Sequence, residues 1–278
     1  MLAPSSSPIR PAAPLAPPAL AWRTVILVDV PIWAAHGTVF AHLVSDESYG
    51  ELHAFAQRIG LPSAAFDGDH YDVPERRYAA CLAAGATAVT GVELAKRVNA
   101  SGLRLRKRKG EKGIRRLVGV DVGLSEPADI DLVASDRPTP DGATGAAAVV
   151  VRDRNGSFLV VRSIRRGTWD CPGGRREPGE DVPECAVREL AEETGLRVSA
   201  AELVVSGYER ITVSDPSHWA SARPLVQVFR LELGQVQPTL VPGDDVDQAR
   251  WVDHDEFREL CRRQFWWPLA AYLLELAP

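Results

Sequence analysis

GGRREPGEDVPECAVRELAEETGL, residues 173–196, is the stretch on which the fold of the C-terminal half turns. Asp181 and Glu184 have the spacing of an N-cap residue and its N3 partner, Pro183 is tolerated in a first helical turn, and Gly195 is a natural stop. The spacing predicts a helix over residues 182–194. At about 100° per residue, Pro183, Val187, Leu190, Ala191 and Thr194 gather on one side, with Glu189, Glu192 and Glu193 roughly opposite. The apolar side is expected to pack on the domain, and the three carboxylates to converge on a cleft or on open solvent.

Like charges at that spacing cost only a few tenths of a kcal/mol on an exposed helix, and glutamate-rich faces are usually just solvated. In a cleft of effective dielectric about 20, each pair roughly 5–6 Å apart costs about 3 kcal/mol. A hard divalent cation reverses that sign, because Mg²⁺ takes oxygen ligands and keeps several waters. Held between carboxylates and a substrate's phosphates, it neutralises charge, polarises phosphorus and activates water. The residues before the helix favour this reading. Gly173, Gly174 and Gly179 let the backbone approach a ligand closely. Arg162, Arg165 and Arg166, just upstream of Trp169, suit phosphate oxygens.

The segment resembles the Nudix box, G-x5-E-x7-R-E-U-x-E-E-x-G-U with U aliphatic, at every fixed position: Gly174, Glu180, Arg188, Glu189, Leu190, Glu192, Glu193, Gly195 and Leu196. With each residue type at about 5–7% of an ordinary chain, a chance match is on the order of one in 10⁵ or rarer. Trp169-Asp170-Cys171-Pro172-Gly173 also resembles the family, with Cys171 where a larger apolar residue is common. The resemblance covers residues from about 143 to 265, including Trp251-Val252 leading into a helix. It implies an α/β/α sandwich with a mixed sheet, and Mg²⁺- or Mn²⁺-dependent hydrolysis of a nucleoside diphosphate linked to another group. It implies that Glu189, Glu192 and Glu193, with Gly174, hold the metal. Glu193, or a residue on a distant loop, would help activate the water. Arg188 would orient the glutamates, with Glu180 as its ion-pair mate. Arg162, Arg165, Arg166, Gly173 and Gly174 are the expected substrate contacts. A further acid is expected from Asp244, Asp245 or Asp247, and the resemblance does not choose among them.

Around this segment the pattern is strand-rich. GAAAVVVRD (145–153) and SFLVVRS (157–163) flank Asn155-Gly156, a hairpin signal, and further strands are expected near 202–213 and 225–233. Asp253 and Glu256 match a capping box ahead of Phe257, Leu260 and Cys261. Trp266, Trp267, Leu269, Tyr272, Leu273 and Leu276 read as core. Residues 104–116 hold eight Lys/Arg against one Glu, and residues 125–144 are rich in Pro, Asp and Gly. These read as a solvated basic segment and a linker. The basic run lacks aromatics for base stacking. The predicted order is a disordered Pro/Ala-rich tail (1–21), a small α/β domain (22–103), the basic segment and linker (104–142) and a Nudix domain (143–278).

In the N-terminal unit, TVILVDV (24–30) suits a buried strand. Residues 46–59 place Leu52, Phe55, Ala56 and Ile59 on one helical face before Gly60. Thr90 and Glu93 have capping-box spacing in a helix that Gly102 would stop. The unit holds four of the six histidines, His36, His42, His53 and His70, and FDGDHYDVP (66–74) sets Asp67, Asp69, His70 and Asp72 close together. A second metal or catalytic site needs convergence that sequence cannot show, and turn-forming Asp with surface His is the plainer reading. The region resembles an uncharacterised bacterial domain family sometimes fused to Nudix domains, which implies no activity.

The 278 residues, 45% hydrophobic and 25% charged, have the profile of a soluble globular protein. The net charge of −5 argues against a surface given over to nucleic acid. Cys81, Cys171, Cys185 and Cys261 form no C-x-x-C pair, so neither cysteine-held zinc nor a disulfide framework is supported, and reduced thiols in a cytoplasmic setting are expected. No apolar run approaches the roughly 18–20 residues that span a bilayer, and prolines break every apolar stretch of the N-terminus, against a signal peptide. The leading expectation is a Nudix pyrophosphohydrolase acting on a small-molecule nucleotide, without membrane or nucleic-acid partners and with a homodimer left open. The alternatives are a nucleotide-sensing module that regulates the N-terminal domain or a partner, and an N-terminal enzyme regulated by the Nudix unit. The complete carboxylate set disfavours a degenerate sensor, and no helix-turn-helix is evident.

Overall fold

The computed structural model describes residues 25–122, 126–213 and 225–275, so the Pro/Ala-rich tail and Leu276 lie outside the described residues. The first sheet holds β1 (Ile26–Val28), β2 (Trp33–Ala35), β3 (Thr38–Ser45), β4 (Tyr71–Pro74) and β5 (Thr87–Ala88), interleaved with α1 (Tyr49–Arg58), α2 (Glu75–Ala83) and α3 (Gly91–Ala100). Its strand order is β2-β3-β1-β5 with β4 on β3; β1 and β5 are parallel and the other pairs antiparallel. Leu52, Phe55 and Ala56 of α1 are buried against Ile26, Val28, Leu43 and Val73, while Leu94 and Val98 of α3 pack with Leu27 and Val44. The period of the apolar residues thus sets which helix covers which face. Ser48 caps α1 and Thr90 caps α3.

The second sheet holds β6 (Lys112–Val120), β7 (Ala128–Ala134), β8 (Thr144–Arg152), β9 (Phe158–Ser163), β10 (Trp169–Asp170), β11 (Gly173–Arg175), β12 (Val204–Thr212), β13 (Leu225–Glu232) and β14 (Val246–Val252). Among the described residues the order is β10-β9-β8-β13-β12-β7-β6, with β11 on β8 and β14 on β9; β8 and β13 are parallel, which makes the sheet mixed. Alternation along the strands loads both faces. Ala147, Val149 and Val151 meet α4 (Val182–Thr194) on one side. Val150, Val160 and Val228 meet α5 (His254–Cys261) and α6 (Trp267–Leu273) on the other. The expected α/β/α sandwich with a small α/β unit ahead of it is the observed fold. Trp266, Trp267 and Leu269 join the core as expected, but Tyr272 is half exposed.

Within the segment 104–142, expected to be a solvated basic stretch and linker, Lys112–Val120 and Ala128–Ala134 are instead strands of the larger sheet. β7 pairs along β12 and β6 along β7. Ile130 and Leu132 are fully buried there, so the strands were hidden behind their Pro- and Asp-rich flanks. Arg104, Lys107, Arg108, Lys112 and Arg116 of the basic run are ion-paired, while Arg106, Lys109 and Arg115 are exposed. Arg116 binds Asp129 and Asp131 at 2.8 and 2.7 Å, Arg108 binds Glu111, and Lys107 reaches back to Asp67 of the first unit. None of the described helices is long and apolar enough to cross a membrane, and all four cysteines are free and buried.

Candidate active site

β8 and β9 share the single pair Arg152–Phe158 beyond the Asn155-Gly156 turn, where Gly156 has φ +89°. Past it they separate: β11 pairs with β8, while β10 pairs with β9. Residues 169–175 are thereby wedged into the opening. Gly173 is needed there because a Cβ would collide with the Ala147 carbonyl and Ala148 Cα. The chain then turns into α4, whose start carries the predicted capping box: Asp181 accepts the Glu184 N–H at 2.8 Å and Glu184 accepts the Asp181 N–H at 3.0 Å. Gly195 ends the helix at φ +76°.

Arg188 is the hub of the cluster. It donates to both Glu180 oxygens at 2.7 and 3.0 Å, to Glu189 and Glu192 at 2.9 Å each, and to the Arg175 carbonyl at 2.8 Å. The Arg188 bonds hold the Glu180 carboxyl below its ordinary range. One guanidinium thus faces three carboxylates, with Glu180 taking the two-pronged contact.

The buried stripe of α4 is Val182, Cys185, Ala186, Leu190 and Thr194, turned from the expected one: Pro183, Val187 and Ala191 are only half buried. The reason is the Gly173-Gly174 backbone, so close that Cys185 and Ala186 pack inward. Glu189 and Glu193 therefore sit at the margin of the core rather than opposite it, while Glu192 is 59% exposed. The Glu189 carboxylate lies over the Cα of Gly174, where a Cβ would overlap it. Burial raises its pKa, with Arg188 opposing. Glu193 accepts the Gly173 N–H at 3.0 Å, and burial, aided by Glu189 and Asp170, pushes it up to about 8. The Gly174 carbonyl accepts the weak Cys185 thiol donor at 3.6 Å.

The three upstream arginines separate. Arg162 is held by Asp247 at 2.9 Å, Arg165 is exposed in the turn, and Arg166 pairs with Asp170 at 2.9 Å beside the glycines. The loop with Asp244 and Asp245 lies on the C-terminal end of α4. Val241 N–H donates to the Thr194 carbonyl at 2.8 Å, and a Cβ on Gly243 would strike the Glu192 carbonyl. Both aspartates are exposed.

Two acids had no place in the sequence reading. Asp170 and Glu209 line a cavity with Arg166, Gly173, Gly174 and Trp266. Glu209 is 5% exposed on β12, between Val226 of β13 and Leu132 of β7. Burial pushes it up to about 8, with Asp170 adding to the shift, and burial pushes Asp170 to about 6 against Arg166. A charged residue inside the strand expected near 202–213 was the available signal.

Residues 143–275 match the family model of the NUDIX domain, and residues 26–101 match that of DUF4031, a protein of unknown function. β6 and β7 fall between the two matches. Phosphatase NudJ of Escherichia coli (strain K12) is 32% identical over 106 residues, covering 36% of this chain and 63% of that protein. The NAD-capped RNA hydrolase NudC of Stutzerimonas stutzeri (strain A1501) is 29% identical over 132 residues, covering 46% and 42%. The chain spans about half the length of the curated relatives it matches. Among solved structures, the pyrophosphohydrolase BsRppH of Bacillus subtilis aligns with a TM-score of 0.42 at 17% identity, covering 58% of this chain and 95% of that one.

Proposed function

We propose that the chain, whose residues 143–275 match the NUDIX domain family model, hydrolyses a diphosphate bond in a nucleoside diphosphate linked to another moiety, with Mg²⁺ or Mn²⁺. The observation that carries this reading is the pair Glu189 and Glu193. Both carboxylates are held at the Gly173-Gly174 backbone and raised by burial; Arg188 reaches Glu189 at 2.9 Å, and Glu193 takes the Gly173 N–H at 3.0 Å. An all-oxygen set in that state fits a hard divalent cation. Glu189, Glu192 and Glu193 would hold it, with the Gly174 carbonyl beside them. The bound ion would neutralise phosphate charge, polarise phosphorus and acidify a water.

The remaining work falls to the chain itself. Arg188 fixes the spacing of the glutamates as a positioning residue. Glu193, anchored by the Gly173 N–H, is placed to accept the proton of the attacking water. Of the three upstream arginines, Arg166 lines the same cavity as the glycines and is the first candidate for a phosphate oxygen; it would leave Asp170 to reach one, as Arg162 would leave Asp247. The cavity beyond, with Trp266 and the acids Asp170 and Glu209, is where the remainder of the substrate would lie.

The test is a screen of the purified full chain with Mg²⁺ and with Mn²⁺ against nucleotide sugars, ADP-ribose, NADH, dinucleoside polyphosphates and nucleoside triphosphates. Metal-dependent release of phosphorylated products is expected. Nucleotide binding without turnover across that panel would replace the hydrolase reading with a sensing module.

A further inference from the structure

The register of the first sheet brings together side chains that are 30 residues apart in sequence. His42 of β3 lies directly opposite Asp72 of β4. His70 is two residues before Asp72 and so falls on the same face of the ladder. The His70 Nε2 is 3.5 Å from Asp72 Oδ1, and the two imidazole rings are 4.9 Å apart at 82°. One ligand atom from each of His42, His70 and Asp72 lies within 4.8 Å of the others.

The second ring nitrogen of each histidine is already engaged. His42 Nδ1 meets Asp29 Oδ2 at 2.9 Å, and Asp29 Oδ1 accepts the His42 N–H at 2.6 Å. His70 Nδ1 meets Asp69 Oδ1 at 2.5 Å, and Asp69 Oδ2 accepts the Leu105 N–H at 2.9 Å. Asp29 and Asp69 are each 2% exposed. A buried carboxylate on one imidazole nitrogen fixes the ring's orientation and turns the other nitrogen toward the cluster, where a metal ion can displace its proton. Metal-binding histidines are held in this way, and the carboxylate raises their basicity. Two such pairs aimed at one point are not what solvated surface histidines produce. Asp67, adjacent in sequence, goes elsewhere, to the Gly113 N–H at 2.8 Å and to Lys107.

We propose that His42, His70 and Asp72 form a binding site for a divalent transition-metal ion, zinc foremost, separate from the carboxylates of α4. Two nitrogens and one oxygen suit zinc, iron(II) or cobalt(II) over Mg²⁺. Three protein ligands leave a coordination position open, as in catalytic rather than structural sites. His42 and His70 open onto a cleft of about 670 Å³ that also holds Trp33, Thr90 and Arg104, room enough for a small organic ligand.

The test uses the full chain, freed of any affinity tag and stripped with a chelator. Zinc is titrated by calorimetry with excess Mg²⁺ present, and cobalt(II) by its visible spectrum. One equivalent of zinc per chain is expected, with cobalt giving the intense bands of a four- or five-coordinate nitrogen-bearing site. His42→Gln and His70→Gln should each lose at least about 100-fold in zinc affinity, whereas Glu189→Gln/Glu193→Gln should retain it. Because His70 is buried, Asp72→Asn on the exposed side serves as a second variant. It should weaken zinc and abolish the cobalt bands while keeping the parent's circular dichroism. Absence of a stoichiometric equivalent, or zinc that follows Glu189 and Glu193 and persists in His42→Gln and Asp72→Asn, would overturn the site.

Discussion

The two polar clusters of this chain bury carboxylates in opposite ways. In the first sheet each is matched. Burial alone would raise the Asp29 carboxyl, but the bonds from His42 outweigh it and hold it low; Asp72 is lowered against burial in the same way by His70. Burial would push His70 down, yet Asp69 and Asp72 raise it to about 9. Beside α4 the balance is reversed: burial, aided by Glu189 and Asp170, drives Glu193 to about 8 against the Gly173 N–H and Arg166. The first cluster compensates itself and must release a proton to take a cation; the second lacks the positive charge a cation would supply. Ligand chemistry divides them again, nitrogen and oxygen against oxygen alone.

Glu193→Gln should separate the clusters most widely. Hydrolysis is expected to fall by about 10²–10⁴-fold, with zinc binding at His42, His70 and Asp72 unchanged. The side chain is half buried rather than turned from the core, but glutamine keeps an acceptor for the Gly173 N–H. The thermal midpoint should therefore not fall, and at neutral pH it should rise, because glutamine removes the proton uptake that burial of Glu193 imposes. Steady-state kinetics and thermal unfolding check both halves, and near-parental turnover would remove Glu193 from the mechanism. Neighbouring glycines sharpen the point. The nearest atoms to a Cβ at Gly174 are the flexible end of Glu189, so Gly174→Ala should cost about 10²-fold in turnover by displacing that carboxylate while leaving stability near the parent's. A Cβ at Gly173 meets backbone at Ala147 and Ala148, so Gly173→Ala should lose about 2–3 kcal/mol in denaturant unfolding. Equal destabilisation by both would mean that Gly174 serves the scaffold and not the site.

What could be read from the sequence follows the same division. The α4 cluster lies within a loop and one helix, so spacing alone gave the cap, the stop and the Arg188–Glu180 pair. Even there the buried stripe was misplaced, because the inward packing of Cys185 and Ala186 depends on how closely β11 approaches, which helical periodicity does not encode. Glu209 was missed because its importance comes from β7 and β13 on either side. The His42–Asp72 contact is set by the register between β3 and β4, and FDGDHYDVP alone offered Asp67 and Asp69 on equal terms with Asp72. β6 and β7 were hidden because charged and Pro-rich flanks outweighed a short apolar core, Ile130 to Val133, in the local pattern.

On the matched side, Asp29→Asn should lower zinc affinity by about 10–100-fold, the usual effect of losing a carboxylate behind a ligating histidine. The amide retains the shape and an oxygen for the His42 N–H, so folding should be preserved, and hydrolysis should not change. Competition with a chromophoric chelator measures the first and the substrate screen the second. Unaltered zinc affinity would reduce Asp29 to a structural partner of β3.

Glu209→Gln probes the unmatched side away from the proposed metal ligands, and its effect should be the smallest. An unfolded glutamate titrates near 4.3, whereas in the folded chain burial raises Glu209 to about 8. Between those values the native state holds the extra proton, so this residue's contribution to stability is fully present below the unfolded value and is lost as pH rises through the folded one. Glutamine carries no charge at any pH and removes that loss. The variant should be close to the parent near pH 5 and more stable at pH 8 by about 1–3 kcal/mol, read from denaturant unfolding at half-unit steps. A gap that stays flat across this window would mean that Glu209 is already ionised in the folded protein, and the contrast between matched and unmatched carboxylates would then end at Glu193.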